Sequence, residues 1–283
     1  MAADFTLAQH YVTIDQPKLA LDALAGADGE AMESTEFWRL RALAHYELDE
    51  PAEAARSASE GLQRNPEAAD LLVVLALAEA ERDDLAAAER ASLAALHLDP
   101  EDPYVLCAYA RVVARGGQLD KAEQIVDLAA RSDPYAREVP RTRALIALLR
   151  GHNRKVAQIS EEMLAEDPED AAAHRMRGVA LVNTGDAHGA RDSLGTAVRD
   201  DPTDQALAGV ARSARAATHP LLWPMLPLQR LGVAGSWVAA ITIIFGLRAL
   251  GLDGASSVAS FVWIALVAYS WLAAPAIERR LSQ

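Results

Sequence analysis

The chain has 283 residues, of which 51% are hydrophobic but only 5% aromatic, and its formal net charge is −13. An acidic surface repels phosphate backbones, which argues against nucleic acid as a partner. The single cysteine, Cys107, excludes an internal disulfide and a thiol-rich metal cluster. Alanine and leucine carry the apolar content, and alanine is the best helix former, so the chain reads as all-α.

From the N-terminus, Met1 to His10 lacks the basic-then-apolar pattern of a cleavable secretory signal, and the body is expected to stay in the cytoplasm. A repeat follows. Asn65-Pro66, Asp99-Pro100, Asp133-Pro134, Asp167-Pro168 and Asp201-Pro202 place a helix-stopping pair every 34 residues. In the same frame the eighth place holds Ala8, Ala42, Ala76, Ala110, Ala144 and Gly178. The twentieth holds Ala20, Ala54, Ala88, Ala122, Val156 and Ala190, and the twenty-seventh Ala27, Gly61, Ala95, Ala129, Met163 and Ala197. Small residues at three fixed places suit two antiparallel helices packed closely within each unit. Breaks at Asp49-Glu50-Pro51, Asp83-Asp84, Gly116-Gly117, Gly151-His152-Asn153 and Gly185-Asp186 supply the C-cap and the next N-cap.

These residues resemble the tetratricopeptide repeat family, whose pattern runs from a large residue through leucine, a small residue and tyrosine to alanine and a closing proline. The sixth frame carries Gly178, Gly185, Asp186, Ala190, Leu194, Ala197 and Pro202; the second opens with Trp38; the first has Leu7, Ala8, Tyr11, Ala20, Leu24 and Ala27. The first frame lacks its proline, with Met32 instead, and the fifth departs furthest through Pro140, Val156 and Met163. The resemblance implies that residues 1–204 form six helix-turn-helix repeats in a right-handed superhelical α-solenoid. Each unit's first helix would line the concave side. Residues 205–218 are expected to cap the stack, with Leu207 and Val210 inward and Arg212 and Arg215 outward.

Residues 219–230 are a proline-rich stretch expected to form an interfacial elbow, and 231–277 a two-helix transmembrane hairpin. Seventeen uncharged residues run from Leu231 to Leu247 and 24 from Gly254 to Ile277, lengths suited to crossing a bilayer. Trp223, Trp237, Trp263, Tyr269 and Trp271 supply the aromatic flanks of a membrane interface, though Trp263, nearer mid-segment, also suits packing on the partner helix. Arg212, Arg215 and Arg230 precede the pair, and Arg279 and Arg280 lie in the short basic tail 278–283. The positive-inside tendency then puts both termini and the body on the cytoplasmic side of an inner membrane. The alternative is a buried helical tail that caps the solenoid or forms a dimer interface.

No motif for catalysis appears. The seven histidines have no metal-ligand spacing, Gly116-Gly117 lacks the lysine and hydroxyl of a phosphate loop, and Cys107 reads as a small filler. Neither an enzyme nor a cofactor is expected. First-helix places two, five, nine, twelve and thirteen face the concave side in relatives, which makes Arg39, Tyr104, Arg111, Arg141, Arg175 and Asn183 the candidate groove residues. An arginine row in a groove suits an acidic segment or free C-terminus of a protein or peptide ligand. Equally, each arginine can pair with an inter-repeat acid such as Glu138 or Asp170. The expected function is a membrane-tethered adaptor. Its rivals are a structural subunit of a membrane complex and a soluble self-associating scaffold. High alanine and arginine suggest a bacterial source.

Overall fold

The computed structural model describes residues 4–14, 16–200, 205–218, 226–252, 254–265 and 267, with the backbone alone at 200, 216, 217, 226–236 and 239. They form α1 (Phe5–Thr13), α2 (Pro17–Leu24), α3 (Gly29–Met32), α4 (Thr35–Glu47), α5 (Pro51–Arg64), α6 (Ala69–Glu81), α7 (Leu85–Leu98), α8 (Pro103–Arg115), α9 (Leu119–Ser132), α10 (Glu138–Leu149), α11 (Asn153–Glu166), α12 (Ala171–Thr184), α13 (Ala187–Asp200), α14 (Gln205–Ala217) and α15 (Leu226–Ala249). Residues 254–265 form a further helix, α16. The described chain is all-α. It divides into two compact units, residues 1–159 and 160–283.

Local chemistry sets the helix ends. Asp4, Ser34, Asp84, Asp102 and Asp170 accept backbone N–H bonds at the starts of α1, α4, α7, α8 and α12, satisfying donors that a helix leaves unpaired. Pro17, Pro51 and Pro103 occupy first-turn positions, where the missing N–H costs nothing. The turn between the two helices of a repeat needs one left-handed residue. It is Asp49, Asp83, Gly117, Gly151 and Gly185 in turn, at φ 58°, 62°, 79°, 74° and 83°, each 34 residues after the last. The first repeat, without its proline, closes differently. Asp28 caps the extra turn α3, and the Trp38 indole N–H donates to the Met32 carbonyl at 2.7 Å.

In the first unit, Ala8, Ala42, Ala76, Ala110 and Ala144 are fully buried, as are Ala20, Ala54, Ala88 and Ala122. These alanines let helix backbones approach, and leucine, valine and isoleucine fill the spaces between repeats. The first helices pack in succession, α1 on α4, α4 on α6, α6 on α8 and α8 on α10. Among the described residues the second helices α5, α7 and α9 pack only on first helices and not on one another. The layer whose members lie closer together is the inner side of a bend, so the first helices line the concave face of this unit.

In the second unit α12 and α13 pair, with Gly178 against Leu194, and α14 packs on both. Leu207 and Ala214 are buried there, Val210 is half-buried, and Arg212 and Arg215 face solvent. Then α15 and α16 form an antiparallel hairpin. Gly251, at φ 74°, turns the chain; the Ser256 hydroxyl donates to the Ile244 carbonyl at 3.2 Å, and the Trp237 and Trp263 rings meet edge to face at 5.7 Å. Both contacts fall in the same antiparallel register. α15 starts at Leu226, so the helix includes residues 226–230; Pro227 then lies in its first turn, where proline is tolerated. Among the described residues no helix is long and apolar enough to cross a membrane. Trp223, Tyr269 and Trp271 lie outside the described residues.

Candidate functional site

A solenoid exposes one long surface made of equivalent positions from successive helices, so a site is read across repeats. On the concave face of the first unit α4, α6, α8 and α10 present Arg39, Tyr46, Asp70, Tyr104, Arg111 and Arg141. The Arg111 guanidinium, on α8, donates to the Tyr46 hydroxyl, on α4, at 2.7 Å and lies 5.9 Å from the centre of the Tyr46 ring. These helices have α6 between them. In a flat layer, helices two repeats apart would stand roughly 16–20 Å from axis to axis. The Arg111 and Tyr46 side chains span that interval and tie α4 to α8 past α6.

Burial and charge shape this patch. Tyr46 is half-buried, and burial, only partly offset by the Arg111 charge, pushes its phenol above the ordinary tyrosine range. Tyr104 is likewise raised by burial, with Asp70, Arg111, Glu138 and Tyr46 in its field. Both tyrosines are neutral donors at physiological pH, with apolar rings beside a cation.

Arg39 is held from two sides. Its Nε and one terminal nitrogen reach the two carboxylate oxygens of Glu36 at 2.8 and 2.7 Å, and the same terminal nitrogen donates to Gln9. The bond from Glu36 raises the guanidinium further, and the reciprocal bond lowers the Glu36 carboxyl. Arg39 is therefore a positioned, partly neutralised donor. Beside it an open cavity of about 460 Å³ is lined by Thr35, Glu36, Arg39, Ala68, Ala69, Asp70 and Leu71.

Of the six groove residues predicted from sequence, Arg39 on α4 and Tyr104 and Arg111 on α8 lie in this one patch, with α6 between the two helices. Arg141 follows half-buried on α10, which packs on α8. Arg175 and Asn183 are exposed on α12 in the second unit. Tyr46, Asp70 and Gln9 were absent from that set, although they occupy the twelfth, second and ninth places of their frames, all groove-facing by the same rule. Reading every such place, rather than arginines first, finds them.

Cys107 is buried against α10, and burial pushes its thiol up to about 11 despite a hydrogen bond with Thr142. It is chemically quiet at neutral pH. Among the described residues no group of three or more His, Cys, Asp or Glu is placed to hold a metal ion.

Comparison with known proteins places this architecture. Residues 39–103 match the tetratricopeptide repeat family model. A tetratricopeptide repeat protein from Parabacteroides merdae has the same fold at a TM-score of 0.61, with 17% identity over 75% of this chain and 82% of that one. A thermophilic repeat protein of Thermus thermophilus matches at 0.56, with 16% identity over 64% of this chain and 99% of that one. A search of curated proteins finds no match. Residues 39–103 are thus similar in sequence to tetratricopeptide repeats, and the chain shares the fold of such helical repeat arrays.

Proposed function

We propose that the chain is a membrane-tethered adaptor that binds a peptide or partner protein along its first-helix surface. The observation that carries this is the concave patch of Tyr46, Tyr104, Arg39 and Arg111. Tyrosine and arginine are the residues that dominate binding energy at interfaces, because each offers a large rigid face and a directed donor. Here they are packed in place before any ligand arrives, which lowers the entropy cost of binding. Arg39, Arg111 and Arg141, with Arg175 and Asn183 further along the chain, favour a ligand with carboxylates, an acidic segment or a free C-terminus. Because Glu36 already neutralises part of Arg39, the ligand competes with an internal pair, and binding should be of transient strength and sensitive to salt.

The tether is the hairpin of α15 and α16. Its outer face carries Trp237, Val238, Ile241, Ile243, Phe245, Val258, Phe261 and Ile264, with Phe245 and Phe261 exposed at 66% and 74%. An apolar surface of that extent calls for lipid or another protein. With arginines flanking the apolar stretch, the chain is read as a two-helix inner-membrane protein with the repeats and both termini in the cytoplasm. Holding the groove near the bilayer raises its effective concentration for partners located there. The same apolar face supports a second reading, a subunit packed on integral proteins of a larger complex.

The test is quantitative co-purification from native membranes with wild type and a triple Arg39→Glu, Arg141→Glu, Arg175→Glu variant of unchanged helicity. Selective loss of one partner is expected. An unchanged partner list removes the groove from recognition, and stoichiometric, detergent-resistant partners favour the subunit. Extraction by alkaline wash without detergent would remove the tether.

A further inference from the structure

A second charged surface lies away from the groove. A cavity of about 470 Å³ in the second unit is lined by Arg191, Asp192, Gly195 and Arg199 of α13 and Arg215 of α14. Several other arginines of this acidic chain are met by carboxylates: Arg82 by Glu79, Arg115 by Glu81, Arg143 by Asp127, Arg150 by Asp120 and Glu123. Here only Arg191 is so met, by its neighbour Asp192 at 2.8 Å. Arg199 bonds the neutral Gly195 carbonyl at 3.2 Å and the Thr196 hydroxyl at 3.0 Å, and among the described residues no carboxylate meets it. Arg215 has no side-chain partner among the described residues, and it is exposed. Gly195 forms part of the lining, and a Cβ there would meet nothing within 4 Å, so the lining is open at that point.

We infer that this cluster binds phosphate groups of anionic lipid headgroups. Guanidinium forks match phosphate oxygens two at a time, and Arg199 and Arg215, which no carboxylate meets among the described residues, form beside an open cavity a receptor for a dianionic or monoanionic phosphate. Position selects the source. From Arg215 to Leu226, where α15 begins, is 11 residues, a span of at most roughly 40 Å. If the hairpin enters a bilayer the cluster cannot leave its neighbourhood. This inference rests on the tether proposed above. The cluster adds a second hold: phosphates bound to it would keep α13 and α14 at the membrane surface.

The experiment is flotation of the full chain with vesicles of phosphatidylcholine alone or mixed with phosphatidylglycerol. Wild type is expected on both, more strongly on the anionic vesicles, with the excess lost at high salt. Arg199→Gln with Arg215→Gln should lower the anionic excess by about fivefold per arginine and leave neutral binding unchanged. Asp192→Asn frees Arg191 and should raise the excess, an outcome that misfolding cannot produce. Equal wild-type binding to both vesicles overturns the headgroup assignment while the tether stands. Absence of neutral binding with an arginine-dependent anionic excess overturns the tether and supports the cluster. Displacement from anionic vesicles by millimolar inorganic phosphate, beyond chloride of equal ionic strength, overturns the lipid as source in favour of free phosphate.

Discussion

Gly178 and Gly195 stand on partner helices of one repeat, and the same substitution should act on them with opposite sign. A Cβ at Gly178 would lie 2.5 Å from Cγ and 2.6 Å from Cδ2 of Leu194, with the Leu194 backbone nitrogen at 3.3 Å. Carbon atoms rest at about 3.5–4.0 Å, so the overlap is about 1 Å. Leu194 is fully buried and has no free space to swing into, so α12 and α13 must part. Overpacking of this kind costs about 1–3 kcal/mol, set against about 1 kcal/mol gained by replacing a helical glycine with alanine. At Gly195 a Cβ meets nothing, and only the gain remains. Gly195→Ala should therefore stabilise by about 0.5–1 kcal/mol, and Gly178→Ala should fall below it by about 1–3 kcal/mol. Urea titration followed by helical circular dichroism measures both against wild type. Gly178→Ala equal to or more stable than Gly195→Ala would refute the claim that close helix approach demands the small eighth place.

The left-handed turn residues give a second contrast: Gly117→Ala, with open space around it, should lose about 1–2 kcal/mol through backbone strain alone, whereas Asp49→Gly should gain up to about 1 kcal/mol, both read as unfolding midpoints. Breaking the bridge across α6 by Arg111→Ala should cost about 1–2 kcal/mol, and Tyr46→Phe less, because the ring still faces the cation; equal costs in the same titration would contradict the stacked geometry. With its thiol pushed up from 9 to about 11, Cys107 should alkylate at neutral pH on the order of a hundredfold more slowly than a free cysteine in the denatured chain, measured by mass spectrometry. The sign for stability follows: Cys107 is held neutral in the fold, so its contribution is whole below pH 9 and is lost as pH rises toward about 11, with the half-buried Tyr46 and Tyr104 adding losses of the same sign. Alkaline titration of folded fraction checks this, and a stability that rises across that window would contradict it.

The repeat was legible because its punctuation is chemical. Asn or Asp before proline stops a helix at any depth in a structure, and left-handed turn residues and buried alanines recur in the same 34-residue frame, so neither depends on distant contacts. Where the frame loses a residue, as at Met32, the sequence indicated a different exit but not its form. The α3 turn and its bond to the Trp38 indole depend on a side chain from the next helix. The groove was half legible for the same reason. Positions followed from periodicity, and Glu36 with Arg39 is an i, i+3 pair within α4, but Arg39 reaching Gln9 on α1 and Arg111 reaching Tyr46 on α4 are pairings across helices that no local pattern encodes. In the tail, the two apolar runs and the turn at Gly251 follow from composition, whereas the edge-to-face meeting of Trp237 and Trp263 follows from register alone.

The central claim, that the concave first-helix face is the recognition surface, is tested most directly by site-specific photo-crosslinking in intact cells. The crosslinker would replace Tyr104 in the patch and, for comparison, Leu93 or Leu128, which are exposed on the second helices α7 and α9. The account predicts one discrete crosslinked partner from position 104 and not from 93 or 128, and its loss when Arg39→Glu and Arg141→Glu are added. The same partner captured from 93 or 128 but not from 104 would move recognition to the outer face and contradict the account.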